Sequence, residues 1–105
     1  MHIQIVNFHL KDMTEDEYTR LCDQVAPAFA DLPGLISKVW LANPATNTFG
    51  GVYTWRDQQA MHDFAKSDLF NTVATHPNLA GITSSDFAVM EVPTALTRGL
   101  APVTV

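Results

Sequence analysis

The stretch Leu35–Arg56, LISKVWLANPATNTFGGVYTWR, decides the fold, because two apolar runs flank a short segment of turn-forming residues. Residues 35–43 and 48–56 are rich in β-branched and aromatic side chains, which favour strands. Between them, Pro44 and Asn47 belong to the residue types that dominate turns. The sequence therefore predicts two antiparallel strands joined as a hairpin.

The segments before this hairpin predict a strand and a helix. Residues 3–10 (IQIVNFHL) are apolar on both faces and indicate a first strand. Thr14 and Glu17 have the spacing of a capping box, in which each side chain bonds the backbone N–H of the other residue. Apolar residues then recur at helical spacing: Tyr18, Leu21, Cys22, Val25, Phe29 and Leu32. Pro27 predicts a kink or a broken last turn in this helix.

The segments after the hairpin predict a second helical region and a last strand. Asp57 is a candidate cap for the helix, and Ser67 is a candidate start for a second short helix. Residues 82–92 (ITSSDFAVMEV) indicate the final strand, and a tail follows over 93–105. The order βαββαβ predicts an α+β fold of the ferredoxin-like type, with an antiparallel sheet and both helices on one face. We expect one domain over 1–105 with its core over 3–92.

The strands carry apolar residues on both faces, although two helices can cover only one face. The alternation of a strand places Leu35, Val39 and Leu41 on one face of the second strand, and Ile36 and Trp40 on the other. A monomer would leave an aromatic-rich face in water, as a patch larger than soluble monomers usually expose. We therefore expect a homodimer that closes a dimeric α+β barrel.

Composition excludes several classes of protein. The 105 residues are 47% hydrophobic and only 16% charged, which excludes intrinsic disorder. A net charge of −5 without a basic cluster argues against a nucleic-acid partner. Cys22 is the only cysteine, so an internal disulfide cannot form. With no charged leader and no apolar run of membrane-spanning length, we expect a cytoplasmic protein without a membrane partner.

No strong catalytic motif is present in the sequence. The four histidines are scattered without metal-ligand spacing, so no metal site is predicted. Neither a dinucleotide-binding glycine motif nor a P-loop occurs. Cys22 lies in the apolar stripe of the first helix and is predicted to be a small core residue. Gly50 and Gly51 inside a strand indicate a bulge or a close approach to the backbone.

Polar residues among aromatic ones indicate where a ligand could bind. Asn7 and His9 share a face of the first strand, and Lys38 shares a face of the second with Trp40. Apolar and aromatic walls with a few placed polar groups are typical of a small-molecule site. The alternative is that the aromatic residues form the core of a dimer interface and the polar ones are satisfied internally.

Two motifs carry a resemblance to a known family. Residues 34–40 (GLISKVW) and 50–57 (GGVYTWRD), with the amphipathic helix after them, resemble the YdhR-type monooxygenase family. That family belongs to the dimeric α+β barrel superfamily, alongside the antibiotic-biosynthesis monooxygenases. The likeness covers residues 3–92 and is densest at Gly34, Lys38, Val39, Trp40, Gly50, Gly51, Tyr53 and Asp57.

The resemblance implies a cavity between sheet and helices in each subunit of a homodimer. It also implies oxygenation of an aromatic, polyketide-like small molecule without flavin, haem or metal, so no cofactor is expected. The substrate would be a deprotonated phenol that reacts directly with dioxygen while the protein orients it. The candidate catalytic residues are Asn7, His9, Tyr53 and His76, with His9 or His76 as the base. The candidate substrate-binding residues are Lys38, Trp40, Trp55 and Phe64.

A second branch of the superfamily, the haem-degrading monooxygenases, resembles the chain at residues 63–70 (DFAKSDLF). That branch uses an asparagine on the first strand, a tryptophan on the second helix and a histidine ligand further along. Asn7 matches the first, but Phe64 and Ala74 stand where the other two are expected. His76 is two residues away and would point about 200° round a helix. Haem degradation is therefore the less favoured hypothesis.

Three further alternatives stay open at this stage. A cyclase or isomerase would use the same pocket and the same kind of substrate without oxygen. A binding domain would hold an apolar metabolite without turning it over. A structural dimer would have no cavity at all.

Overall fold

The computed structural model describes residues 1–100 and contains four strands, four α-helices and one short 3₁₀ helix (Pro44–Thr46) within that range. The elements are β1 (His2–Leu10), α1 (Glu15–Ala30), β2 (Leu35–Asn43), β3 (Thr48–Trp55), α2 (Gln58–Ala65), α3 (Asp68–Ala74), β4 (Leu79–Ala88) and α4 (Glu91–Leu96). The strands form one antiparallel sheet in the order β2-β3-β1-β4. This is the ferredoxin-like βαββαβ fold predicted from the sequence. The second helical region is divided at Ser67, as predicted, and one helix that was not predicted is added at the end.

The predicted helix caps are present. Thr14 and Glu17 form the reciprocal capping box at the start of α1, with both bonds at 3.1 Å. Asp57 caps α2 by accepting from the Ala60 N–H at 2.8 Å. The start of α1 is therefore fixed by its own first turn, and this sets which of its residues face the sheet. Helix α1 continues past Pro27 to Ala30, so the last turn is not broken.

The core lies between the helices and one face of the sheet. Tyr53 of β3 contacts Phe29 of α1 and Phe64 of α2, with ring centroids 6.1 and 5.3 Å apart. Both helices therefore cover the same face, and the aromatic residues of β3 lie beneath them. Trp55 is fully buried on this face.

The opposite face, which we call the open face, is mainly aliphatic, with Phe87 as its large exposed aromatic residue. Val39 and Phe87 are each 57% exposed. Ile3 and Ile5 alternate with the buried residues of β1 and so belong to the same face. The expected aromatic-rich exposed face is therefore wrong, because β3 turns its aromatic residues toward the helices. The open face still exposes large apolar side chains at both edges of the sheet, with Val39 on β2 and Phe87 on β4.

The face assignment of β2 differs from simple alternation. The pairing with β3 shifts register between Leu35 and Ser37, where one extra residue is accommodated. As a result Leu35 packs against the core together with Trp40, while Val39 faces away. The expectation that Leu35 shares a face with Val39 was wrong because the irregularity changes the alternation.

The last strand is displaced toward the N-terminus relative to the predicted range 82–92. It begins at Leu79, which pairs with Leu10, and it ends at Ala88, which pairs with His2. Gly81 has a φ of +64° close to the register shift in this pair, a conformation that suits glycine. Beyond Val89, whose N–H bonds the Met1 carbonyl, β1 offers no further backbone partner.

Residues that the sequence assigned to the strand and the tail form helix α4 instead. Pro93 lies in the first turn of α4, where its missing N–H costs little. The helix lies beside the open face, since Pro93 and Thr94 line a groove together with Ile3 and Thr54. The part of the predicted tail over 101–105 lies outside the described residues. Within residues 1–100, no helix has the length and apolar character needed to span a membrane.

Candidate functional site

A cleft opens between α1 and the strands β2 and β3. Its outer part has a volume of about 340 Å³, within the range of roughly 300–1,000 Å³ that small-molecule sites occupy. Helix α1 supplies one wall and the strands supply the other. Its lining includes Glu15, Tyr18, Cys22, Asp23, Trp40 and Phe49.

The cleft continues inward to a smaller cavity of about 40 Å³. Tyr18, Cys22 and Trp40 line both parts, so the two are adjoining. Lys38 and Tyr53 lie at the inner end. A ligand in the outer part of the cleft therefore lies against aromatic walls, and only a group of about the size of a water molecule fits into the inner part beside Lys38.

The Lys38 ammonium is held between aromatic rings. Its Nζ lies 3.4 Å from the ring centroid of Trp40, 3.5 Å from that of Phe29 and 4.7 Å from that of Tyr53. A cation over an aromatic face is attracted by the ring quadrupole. The three rings therefore fix the position of the Lys38 amine at the base of the cleft.

The backbone around Lys38 explains why a charged side chain points inward. Lys38 pairs with Tyr53 across the two strands, so its side chain lies on the same helix-covered face of the sheet. Gly51 then makes room for the lysine stem, because a Cβ at that position would lie 2.7 Å from Lys38 Cε. Gly50 allows a second close approach, since a Cβ there would lie 1.8 Å from the Val6 carbonyl oxygen. The close approach predicted at the glycine pair is confirmed, and β3 pairs with β1 there without a bulge.

Burial controls the protonation of Lys38. Removal from water lowers the pKa of the Lys38 amine to about 7, and the nearby Cys22 acts weakly in the opposite direction. None of the ion pairs among residues 1–100 involves Lys38. The amine therefore exists in both the charged and the neutral form near neutral pH.

The hydroxyl and thiol groups around the amine stay protonated. Burial raises the pKa of Tyr18 and of Tyr53 well above the ordinary tyrosine value. Burial also raises the pKa of the Cys22 thiol. These groups are neutral near pH 7 and can donate hydrogen bonds to an oxygen that carries negative charge.

The mouth of the cleft has the opposite electrostatic character. Glu15 and Asp23 of α1 line the outer part of the cleft. The protein as a whole also carries a net charge of −5, which adds to the negative potential at the mouth. An uncharged ligand is therefore favoured at the entrance over a preformed anion.

The structure brings together three of the predicted site residues. Lys38, Trp40 and Tyr53 meet at the inner end of the cleft, from neighbouring strands. Lys38 and Trp40, the polar and aromatic residues that share a face of β2, therefore form part of one wall of the cleft. Lys38, predicted only as a substrate-binding residue, is the group with the most perturbed environment in that wall.

Three predicted catalytic residues lie elsewhere, which corrects their assignment. Asn7 alternates with the buried Val6 and Phe8 and so belongs to the open face. His9 is exposed, and its Nδ1 lies 2.7 Å from the Asn47 carbonyl oxygen, in a contact between β1 and the hairpin turn. The His76 Nδ1 accepts from the Asn78 N–H at 3.1 Å in the turn after α3. Neither histidine lines the cleft, so neither is placed to act as its base.

Two predicted substrate-binding residues belong to the core. Trp55 is fully buried, and its Nε1–H donates to Gln4 Oε1 at 3.0 Å. Gln4 in turn donates to Ser84 Oγ at 3.1 Å. Phe64 is 4% exposed and packs against Trp55, with ring centroids 5.2 Å apart. Both residues support the sheet from which Tyr53 projects, and neither lines the cleft.

Sequence reasoning missed the contribution of α1. Tyr18, Cys22 and Phe29 were assigned to the core stripe of this helix, yet all three line the cleft. Cys22 is half-buried rather than a fully buried core residue. A signal was present in the i, i+4 spacing of the two polar-tipped residues Tyr18 and Cys22 on an otherwise apolar stripe.

Within residues 1–100, no group of three or more metal-binding side chains comes together. The cleft offers aromatic faces, hydroxyl donors and one amine. That set of groups suits a flat aromatic molecule with an acidic or carbonyl oxygen.

A two-layer α+β protomer with a cleft between its first helix and its sheet defines the class of small ferredoxin-like proteins. The chain belongs to the family described as "putative mono-oxygenase ydhR", whose model matches residues 3–100. The resemblance drawn from residues 34–57 is thereby confirmed. None of the curated proteins matches this chain.

Solved structures share the fold at low sequence identity. A putative antibiotic biosynthesis monooxygenase from Deinococcus radiodurans is similar with a TM-score of 0.72 and 14% identity, over 88% of this chain and 95% of that one. SnoaB, a cofactor-independent oxygenase from Streptomyces nogalater, is similar with a TM-score of 0.66 and 18% identity, over 87% and 95%. The haem degrader MhuD from Mycobacterium tuberculosis is similar with a TM-score of 0.68 and 18% identity, over 86% and 96%. At these identities the likeness shows the fold alone.

Proposed function

We propose that this protein is a cofactor-independent monooxygenase that binds an aromatic phenol or anthrone in the cleft between α1 and β2. The observation that carries the proposal is the Lys38 amine, held between aromatic rings at the base of that cleft and in none of the ion pairs of residues 1–100. Family membership supports the reaction class. SnoaB, a cofactor-independent oxygenase, has the same fold.

Proton removal is the step that Lys38 would perform. The substrate enters as a neutral molecule past the acidic mouth, and its acidic proton passes to the neutral Lys38 amine. The resulting ammonium then lies beside the phenolate or enolate oxygen and stabilises it electrostatically. A base with a pKa of about 7 suits proton transfer at neutral pH. The protonated hydroxyl groups of Tyr18 and Tyr53 can donate to the same oxygen.

Dioxygen supplies the oxidant for the second half of the reaction. The anion is electron-rich and reacts at its ring carbon with dioxygen, which needs no organic cofactor. For a methylene carbon between two rings, one oxygen atom becomes the new carbonyl oxygen. The two hydrogens lost from that carbon leave with the other oxygen atom as water. Aromatic walls that keep bulk water out favour this course.

We also propose that the protein acts as a cytoplasmic homodimer joined through the open face. The exposed apolar side chains of Val39 and Phe87 support a sheet-to-sheet interface. The cleft lies on the other side of the sheet, so a partner on the open face would leave it accessible. The single cysteine is compatible with a reducing compartment.

The test uses the two tryptophans as separate reporters. Titration with 2-naphthol and with anthrone should quench the fluorescence of the wild type and of Trp55→Phe saturably. Trp40→Phe should lose the response, because its remaining tryptophan is fully buried away from the cleft. Oxygen uptake with the ligand that binds should then be abolished in Lys38→Met. Binding without uptake would contradict the monooxygenase proposal.

Product analysis separates the remaining alternatives. A rearranged or cyclised product formed without oxygen uptake would indicate a cyclase or isomerase. Saturable binding with neither outcome would indicate a binding domain. Haem binding would need a different site, because no histidine lines the cleft and Phe64, at the expected tryptophan position, is buried in the core.

A further inference from the structure

The Lys38 side chain borders two spaces. It lines the inner cavity of the cleft, and it also lines a separate groove of about 330 Å³ between the end of α1 and β2. The rings of Phe29 and Trp40 lie against the Lys38 amine, and both residues border the same two spaces. Lys38 is therefore partly buried while its side chain still lines both the cleft and the groove.

The other two lysines provide an internal contrast. Lys11 and Lys66 are exposed on the surface. Lys38 alone among the three is surrounded by aromatic rings, and it makes none of the ion pairs seen within residues 1–100. A lysine amine in such surroundings meets the two requirements for nucleophilic attack, a free lone pair and an apolar approach.

We propose that Lys38 is a nucleophilic amine that forms a Schiff base with aromatic aldehydes bound in the cleft. This activity goes beyond the proposed oxygenation and does not depend on it, because it needs no dioxygen. The ligand class follows from the cleft. Aromatic walls select a flat ring, the acidic mouth selects an uncharged molecule, and the amine selects a carbonyl carbon.

The step balances without an oxidant or a reductant. The Lys38 nitrogen lone pair attacks the aldehyde carbon, forming the C–N bond while the carbonyl electron pair moves to oxygen. That oxygen takes one proton to give a carbinolamine. Loss of the hydroxyl group together with a nitrogen proton releases one water molecule and leaves the imine. The protonated Tyr18 and Tyr53 hydroxyl groups line the same cavity and can donate to the oxygen that leaves.

The size of the effect follows from the fraction of free amine. With a pKa of about 7, about half of the Lys38 side chains are neutral at pH 7. An ordinary lysine of pKa about 10.4 is neutral in roughly one molecule in 2,500 at that pH. Steric restriction by the rings offsets part of this advantage. We expect Lys38 to react at least about tenfold faster than the exposed lysines.

The experiment is reductive trapping on the intact protein. Wild-type protein is incubated at pH 7 with 2-naphthaldehyde and sodium cyanoborohydride, which converts an imine to a stable secondary amine. Peptide mapping by mass spectrometry then compares the rate of modification at Lys38, Lys11 and Lys66, and separates the Met1 α-amino group. Preferential modification of Lys38 supports the proposal, and equal rates at the three lysines overturn it.

Two further measurements keep the result interpretable. The advantage of Lys38 over Lys11 should shrink as the pH rises from 7 to 10, because an amine with a pKa of about 7 gains at most about twofold in its neutral form over that range, whereas an ordinary lysine of pKa about 10.4 gains far more. Lys38→Arg should lose the preferential modification, and Lys11→Arg should keep it. Oxygen uptake with the phenol ligand is measured separately. Uptake without trapping would overturn this inference alone, and trapping without uptake would overturn the monooxygenase proposal alone.

Discussion

Replacement of Lys38 by methionine tests the burial of the ammonium directly. Methionine keeps most of the side-chain length and removes the charge. Below pH 7, Lys38 is charged in both the folded and the unfolded chain, so the folded state bears the full cost of burying the ammonium. We therefore expect Lys38→Met to be more stable than the wild type at pH 6.

The magnitude follows from the change in pKa. A drop from 10.5 to about 7 corresponds to roughly 5 kcal/mol at 1.36 kcal/mol per pKa unit. Lys38 is only partly buried, and solvent screening of its charge reduces this upper bound. We expect a gain of about 2 kcal/mol at pH 6. As pH rises from 7 to 10.5, the folded lysine is already neutral while the unfolded one still binds a proton, so the advantage of the variant disappears.

Urea denaturation at pH 6, 8 and 10, at one fixed protein concentration, measures this dependence. Lys11→Met is the matched control, because Lys11 is exposed, and its effect should be the same at all three pH values. If the free energies of unfolding of the two variants changed with pH in the same way, the inference that burial of the Lys38 ammonium destabilises the folded state would be refuted.

Three further predictions test other parts of the structure. Gly51→Ala should weaken naphthol binding about tenfold, or 1.4 kcal/mol, because the added Cβ displaces the side chain of Lys38. Fluorescence titration measures this affinity, and an unchanged affinity would contradict the role of Gly51. Val39→Asp should shift sedimentation from twice 11.6 kDa to 11.6 kDa, because it places a charge in the proposed interface, while Val39→Thr should stay dimeric. Gln4→Leu should cost about 1–3 kcal/mol by leaving the buried Trp55 N–H without its acceptor, and much of that loss should disappear in the Gln4→Leu/Trp55→Phe double variant.

Local signals in the sequence were enough for the order of the elements. Thr14 and Glu17 satisfy the first turn of α1 with their own side chains, and Asp57 does the same for α2. Those bonds form within three residues of each other and so can be read from spacing. The hairpin between residues 35 and 56 is equally local. The resemblance to the family also rests on motifs within this part of the sequence.

The site was predicted only in part, because it depends on register. Alternation assigned Asn7 to a ligand face, but only tertiary packing decides which of two apolar faces of β1 the helices cover. The register shift between Leu35 and Ser37 places Leu35 on the opposite face from the one that alternation predicts. No residue type in that stretch indicates such a shift. The inward position of Lys38 also requires Gly51 on the neighbouring strand. That pairing across strands lies beyond what spacing along one chain can show.

The position of β2 at the edge of the sheet has a further consequence. An edge strand offers unpaired N–H and C=O groups on which another chain could extend the sheet, which is a common route to aggregation. A register irregularity and an inward-pointing charge are two devices that discourage such extension. β2 has both, at Leu35–Ser37 and at Lys38. The features that build the cleft therefore also protect this edge against strand addition, and leave the open face as the surface of the proposed association between copies.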